Sequence, residues 1–171
     1  MLALVDGTLC YANDFEWRKA GLWEVSIRKD GESVMRAVKV QQCSDAASEP
    51  DVLLSILPGQ ERCAPLEVVR SSAGTVIKTH CEVHGIKVDS QMTMSGNFGV
   101  AYRGKFNVRY ASGSVPAPQM GDVFFEARWI GPCAPSQLPG DMVLSNGITV
   151  NVLKDKKANE NEHEHEHGHH E

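Results

Sequence analysis

Residues 99–110 read Gly-Val-Ala-Tyr-Arg-Gly-Lys-Phe-Asn-Val-Arg-Tyr, and their alternation marks the fold class. Val100, Tyr102, Phe106, Val108 and Tyr110 alternate with Arg103, Lys105, Asn107 and Arg109. A period of two belongs to a half-buried strand with one wet face. The same period runs outward in both directions. Trp23, Val25 and Ile27 alternate with Glu24, Ser26 and Arg28, and Ile86, Val88, Met92 and Met94 with Lys87, Asp89, Gln91 and Thr93. Asp30-Gly31, Ala73-Gly74, His84-Gly85, Gly96-Asn97 and Asn146-Gly147 punctuate the runs, the last as a two-residue hairpin signal with positive φ at both positions. Nine strands are expected, near residues 22–29, 34–42, 65–70, 75–84, 86–95, 99–110, 122–130, 142–145 and 147–153. One short helix is expected where Ser48 caps, Pro50 fits the first turn, Val52 to Leu57 supply apolar surface and Pro58-Gly59 stops the run. The class is all-β, an antiparallel meander that hides its inner face by forming a barrel or a sandwich.

Composition agrees with one ordinary domain: 171 residues, 42% apolar and 23% charged. No stretch approaches the roughly 18 to 20 apolar residues of a transmembrane helix, so no membrane span is expected. The net charge of −5 is local, because Glu160, Glu162, Glu164, Glu166 and Glu171 fall in the last twelve residues. Without them acidic and basic residues are equal, 17 each. A neutral body lacks the basic footprint that binds phosphate backbones, so no nucleic-acid partner is expected.

The two ends differ from the body. Residues 1–12 are small and apolar apart from Asp6 and close on Cys10-Tyr11-Ala12, a small-x-small pattern that suits a signal peptidase. The segment lacks a basic start, and an N-terminal strand or arm is the competing reading. Cleavage after Ala12 removes Cys10 and leaves Cys43, Cys63, Cys81 and Cys133, an even set with three connectivities. None lies in a CxxC pair, which speaks against a zinc knuckle or a thioredoxin-like site. Together these features favour a periplasmic or secreted protein over a cytosolic one with reduced cysteines.

At the other end the polar run 154–161 leads into Glu-His-Glu-His-Glu-His-Gly-His-His, residues 162–170. A segment of this composition buries no core, and 154–171 is expected to be a disordered tail. Imidazole and carboxylate suit divalent Ni, Zn, Co or Cu(II), with His163, His165, His167, His169 and His170 as the ligands. An appended purification tag and a solubilising tail are the bland alternatives, and the irregular Gly168-His169-His170-Glu171 ending favours a natural tail. His163-Glu164-x-x-His167 matches the metalloprotease HExxH only by letter, since that motif needs a stable helix and a third fixed ligand.

The body, 13–153, offers little chemistry of its own. His80, Glu82 and His84 share one face of a strand but spread over roughly 13 Å, too far for one ion unless the strand bends. Met92 and Met94 fall in phase with Ile86 and Val88 and read as core rather than as Cu(I) ligands. Trp129 reads as packing on a disulfide rather than lining a ligand pocket. A GxSxG elbow, a P-loop, a dinucleotide fingerprint and a C-x-x-C-H haem site are absent, so no catalytic residue is assigned and the chain is not expected to be an enzyme.

Several segments together resemble a known family: Gly21-Leu22-Trp23-Glu24-Val25, Val40-Gln41-Gln42-Cys43, then Cys63 and Cys81, the run from Ala127 to Cys133 that contains Trp129-Ile130-Gly131-Pro132-Cys133, and Pro139-Gly140-Asp141-Met142. They are similar to the small exported bacterial proteins called domain of unknown function 3617, over about residues 20 to 153. The resemblance implies an exported β-rich domain with paired cysteines, and no reaction. Of the pairings, Cys63 with Cys81 and Cys43 with Cys133 are favoured. The first pair flanks adjacent strand signals, and the second ties the early sheet to the loop after Trp129. The functional expectation is an exported binder or buffer of divalent transition metal through its tail. The alternative is a barrel whose interior binds a small apolar ligand or envelope component, the tail being incidental. The mature chain is expected to begin near Asn13 with no free thiol. Intact mass with and without alkylation checks this, and five alkylatable cysteines would defeat it.

Overall fold

The alternation becomes one antiparallel sheet. The structure, a computed structural model, describes residues 17–57, 67–83, 86–110 and 120–158. Its strands are β1 (Gly21–Lys29), β2 (Val38–Ser44), β3 (Glu67–Ser71), β4 (Gly74–Val83), β5 (Ile86–Asn97), β6 (Ala101–Tyr110), β7 (Met120–Gly131), β8 (Asp141–Val143) and β9 (Thr149–Asn151). They lie in the order β3-β4-β5-β6-β7-β1-β2-β8-β9. The run from β3 to β7 is the expected meander. The first hairpin departs from it: β1 is seated between β7 and β2, so the earliest strand extends the sheet beyond the last strand of the meander. The sheet is not closed, and β3 and β9 are its edges.

Period two puts the large side chains on one face. Trp23 and Val25 of β1, Ile77 of β4, Met92 and Met94 of β5, Phe106 and Val108 of β6, and Phe125 of β7 are all nearly inaccessible and form one cluster. The two methionines are core, as their phase requires. Gly104, opposite Phe125, leaves room for that ring: a Cβ there would stand 2.5 Å from Phe125 Cζ and 2.1 Å from the Thr93 carbonyl oxygen. The aromatic file Trp23, Tyr102, Phe125 packs edge to face at centroid distances of 5.4 and 6.0 Å.

One helix, α1 (Glu49–Leu54), covers part of this face with Val52, Leu53 and Leu54, followed by Leu57. Its entry is not capped by the Ser48 side chain as the sequence suggests, because Ser48 already has helical dihedrals. Asp45 does that work: its Oδ1 accepts from Ser48 N (2.8 Å) and Ala47 N (3.1 Å), while Ser48 Oγ accepts from Asp45 N (2.9 Å). This reciprocal pair has the form of a capping box, and the donors hold the Asp45 carboxyl below the usual carboxylate range.

The interior contains an ion pair. Arg18, just ahead of β1, is 4% exposed. Its Nε donates to Glu49 Oε1 and its Nη2 to Glu49 Oε2 (3.2 Å), while Nη1 donates to Gln42 Oε1 (2.9 Å) and to Tyr102 Oη (2.9 Å). Gln42 in turn donates from Nε2 to the Val52 carbonyl (3.0 Å). One guanidinium therefore joins the segment ahead of β1 to β2, β6 and α1. The guanidinium also lies 5.3 Å from the Trp23 ring centroid. Burial pushes the Glu49 carboxyl upward and Arg18 pulls it back.

Three boundaries differ from the sequence reading. Val34–Arg36 forms a 3-10 turn, so β2 starts at Val38 rather than near 34. The β8–β9 connection is longer than a two-residue hairpin. Gly147, at φ 82°, donates to Leu144 O (2.9 Å) and Leu144 N donates to Ile148 O (2.8 Å), which shortens both strands. Residues 152–158 are helical, so the first part of the segment expected to be unstructured carries structure, anchored by Lys156 Nζ to Asp51 Oδ1 at 2.8 Å. The rest of the tail, from 159 onward, lies outside the described residues.

The disulfide expected between Cys43 and Cys133 is present, with Cα atoms 5.5 Å apart across 90 residues of sequence. It links β2 to the segment after β7, the two strands that flank β1. In the chain-entropy picture closing such a loop contributes about 4.5 kcal/mol. The double variant Cys43→Ser/Cys133→Ser is expected to lose roughly that much in urea denaturation, a large share of a typical 5 to 15 kcal/mol. The buried pair behaves differently: Glu49→Leu or Arg18→Met alone strands a buried partner and is expected to cost about 3 to 5 kcal/mol. The Arg18→Met/Glu49→Leu double variant is expected to cost less than either single change, since no uncompensated charge remains. A double-mutant cycle by denaturant melting reads this directly.

Candidate functional site

The residues singled out in sequence scatter over the molecule. His163, His165, His167, His169 and His170 lie outside the described residues, as does Cys63. Cys81 occupies β4 opposite Val88. His80 is on the exposed face of β4, where its Nδ1 meets Asp89 Oδ1 at 2.7 Å. His84 is outside the described residues. Among the described residues no group of three or more His, Cys, Asp and Glu side chains converges in a way that holds a metal ion.

Trp129 is fixed by the start of β1. Its Nε1 donates to Ala20 O (3.2 Å), the Lys19 ammonium stands 3.5 Å from its ring centroid, and the indole passes so close to Gly21 that a Cβ there would lie 2.6 Å from Nε1. Gly21 also has φ 133°, a conformation that side chains avoid. The Gly21-Leu22-Trp23 and Trp129-Ile130-Gly131 segments are thus two halves of one contact between adjacent strands.

The described residues form adjoining recesses on the outer, wet face. A cleft of 440 Å³ runs across β5, β6, β7 and β1. Register builds its floor as two cross-strand rows. One row is Ser95, Arg103, Glu126 and Ser26, and the next is Thr93, Lys105, Phe124 and Arg28. Ala73, from the β3–β4 turn, and Val34 and Ala37, from the link between β1 and β2, complete its lining. Val34, an apolar side chain at the cleft, is 75% exposed. A second recess of 710 Å³ adjoins the first and shares Ser26, Ser95, Arg103 and Glu126 with it.

The charges in the cleft are unequally paired. Lys105 Nζ donates to Asp122 Oδ2 at 2.6 Å, and that hydrogen bond holds the Asp122 carboxyl below its ordinary range. Arg28 lies over Phe124 with 4.9 Å from Cζ to the ring centroid. Arg103 stands opposite Glu126 in register, yet the two make no ion pair within 4.0 Å. Sequence reasoning placed Arg28, Arg103 and Lys105 on the wet face but gave them no role. The signal that marks the site is Phe124-Phe125: on a strand one of two adjacent aromatics must turn outward, and Phe124 does so between Lys105 and Arg28.

Neither a curated protein nor a solved structure matches the chain significantly. A family model does match, over residues 18–133. Its span holds the buried Arg18, the Gly21–Trp129 contact, both halves of the disulfide and the whole cleft. Pro139-Gly140-Asp141-Met142, counted in the sequence resemblance, falls beyond it. The chain belongs to the family described as Protein of unknown function (DUF3617).

Proposed function

We propose that this is an exported, non-catalytic β-domain that carries divalent transition metal on its C-terminal His/Glu segment, as a periplasmic binder or buffer. The observation that carries the reading is the placement of five histidines among glutamates within residues 162–170. Imidazole and carboxylate donors of this kind suit Ni, Zn, Co or Cu(II), and donor chemistry alone separates these ions little. The absence of a converging donor set among the described residues supports assigning the ligands to that segment. The Cys43–Cys133 disulfide supports an oxidising compartment.

The packing supports this reading over an apolar ligand held inside the sheet. Trp23, Ile77, Met92 and Phe125 occupy the described interior, each at most 1% exposed. The His/Glu segment follows the helical residues 152–158, whose Lys156 is tied to Asp51, so a cut after residue 159 leaves every described contact in place.

Deleting residues 160–171 is expected to abolish most metal binding and leave the thermal transition almost unchanged, because the cut removes no described contact. Calorimetric titration of full-length and truncated protein with Zn or Ni at pH 7.5 and 5.5 measures the binding. Neutral imidazole is the ligand form and its ordinary pKa is about 6.5, so affinity is expected to fall as pH drops below about 6. Tight binding retained by the truncated body would move the ligands into the domain and defeat the proposal.

A further inference from the structure

We propose that the outer-face cleft is a second binding site, independent of the tail, and that it takes a single-chain amphipathic monoanion, a carboxylate on an acyl chain. Three observations fix the class of ligand. The first is charge. Lys105 is neutralised by Asp122, while Arg28 and Arg103 have no ion-pair partner among the described residues and face only Glu126 within the lining. The cleft is therefore one positive charge in excess, which matches a monoanion better than a phosphate dianion.

The second is the donor arrangement. Arg103 lies in one cross-strand row with Ser95 on one side and Glu126 then Ser26 beyond it on the other. A guanidinium presents two parallel N–H groups that fit both oxygens of a carboxylate, and neighbouring hydroxyls add a third donor. Glu126, opposite but not paired, excludes a second anion from the same spot.

The third is the apolar surface beside this head site. Phe124 and Arg28 form a stacked pair in the adjacent row, and Val34 and Ala37 stand at that end of the cleft. Phe124 is only half-buried and Val34 is 75% exposed, apolar surface that is costly to leave in water. An acyl chain running from Arg103 along Phe124 toward Val34 covers both. At 440 Å³ the cleft falls in the range of small-molecule sites, about 300 to 1,000 Å³.

The test titrates the full-length chain with dodecanoate below its micellar concentration, in the presence of EDTA so that tail-bound metal cannot capture the carboxylate. Dodecyltrimethylammonium and dodecyl phosphate serve as comparison probes. Dodecanoate is expected to bind at micromolar concentration, with the cationic probe at least tenfold weaker and the phosphate no tighter than the carboxylate. Arg103→Gln is expected to weaken dodecanoate about tenfold, the share of a charge-assisted hydrogen-bond pair. Phe124→Thr is expected to weaken it similarly, while Lys87→Gln, which removes a charge elsewhere on the exposed face of β5, leaves it unchanged. Circular dichroism confirms that each variant is folded, and where Arg103→Gln is not, Phe124→Thr decides. Equal binding of the cationic probe, wild-type affinity in both cleft variants, or no dodecanoate binding up to about 1 mM overturns the proposal. Preferred binding of the phosphate overturns the assignment to a monoanion. Because metal is chelated throughout, none of these outcomes bears on the tail.

Discussion

A single buried guanidinium organises this fold. An open sheet with one apolar face must cover that face, and here α1 supplies cover from the described residues. A six-residue helix has almost no stability of its own, so it forms only where tertiary contacts hold it. Val52, Leu53 and Leu54 give it adhesion, and Arg18 gives it a fixed position by gripping both carboxylate oxygens of Glu49 while touching β2 and β6. The pair is a weak source of net stability, because desolvation offsets most of its attraction. Its effect is geometric. The helix cannot slide along the sheet without stranding a buried charge, and the same contacts order the segment that leads into β1. Once β1 is placed, the Gly21–Trp129 contact and the disulfide follow from adjacency.

What sequence disclosed and what it hid divide along the range of the interaction. Strands were legible because alternation at Trp23 to Ile27 or Tyr102 to Tyr110 is a local property imposed by one buried face. All nine appear within a few residues of their expected positions. Strand order was not legible, since nothing in residues 21–29 says that they pair with 123–131 rather than with the near end of the meander. Arg18 was invisible for a related reason. A cation just ahead of a strand looks like surface, and only Glu49, Gln42 and Tyr102 arriving from other elements make it core. The helix cap failed at finer scale: Asp45 and Ser48 both fit a cap, and the choice depends on dihedrals that composition does not encode. Pairing Cys43 with Cys133 succeeded because it ties the early sheet to the loop after Trp129, and the two cysteines sit by the ends of the strands that flank β1.

The candidate cleft shows the same boundary between local and long-range information. Alternation puts Arg103, Lys105, Ser26 and Arg28 on the wet face, yet it gives no row. The rows exist only when β6 pairs β5 and β7, and β7 pairs β1, each in one register. A slip by a single residue in β7 would put Phe124 inside, Phe125 outside, and Glu126 away from Arg103. The inner face fixes that register through the seat of Phe125 over Gly104. Core packing therefore determines which charges are neighbours on the opposite surface, and the outer face inherits its charge pattern from an apolar contact it does not share.

Leaving the sheet open sets a further requirement, since unpaired strand edges invite pairing with other chains. The two edges meet it differently. β9 is only three residues long, and the helical residues 152–158 follow it directly, so little backbone is presented. β3 has five residues and places Glu67 and Arg70 along the edge, with Lys78 of β4 paired to Glu67 beside it. Charges at such positions cost a would-be partner strand their desolvation, which closed barrels avoid by having no edge at all. The disulfide acts on the same problem from inside. It ties β2 to the segment after β7 across β1, so the hairpin that extends the meander cannot peel away and expose the edge of β7. An open sheet that is short at one edge, charged at the other and stapled across its internal seam thus limits edge pairing by means that a closed barrel does not need.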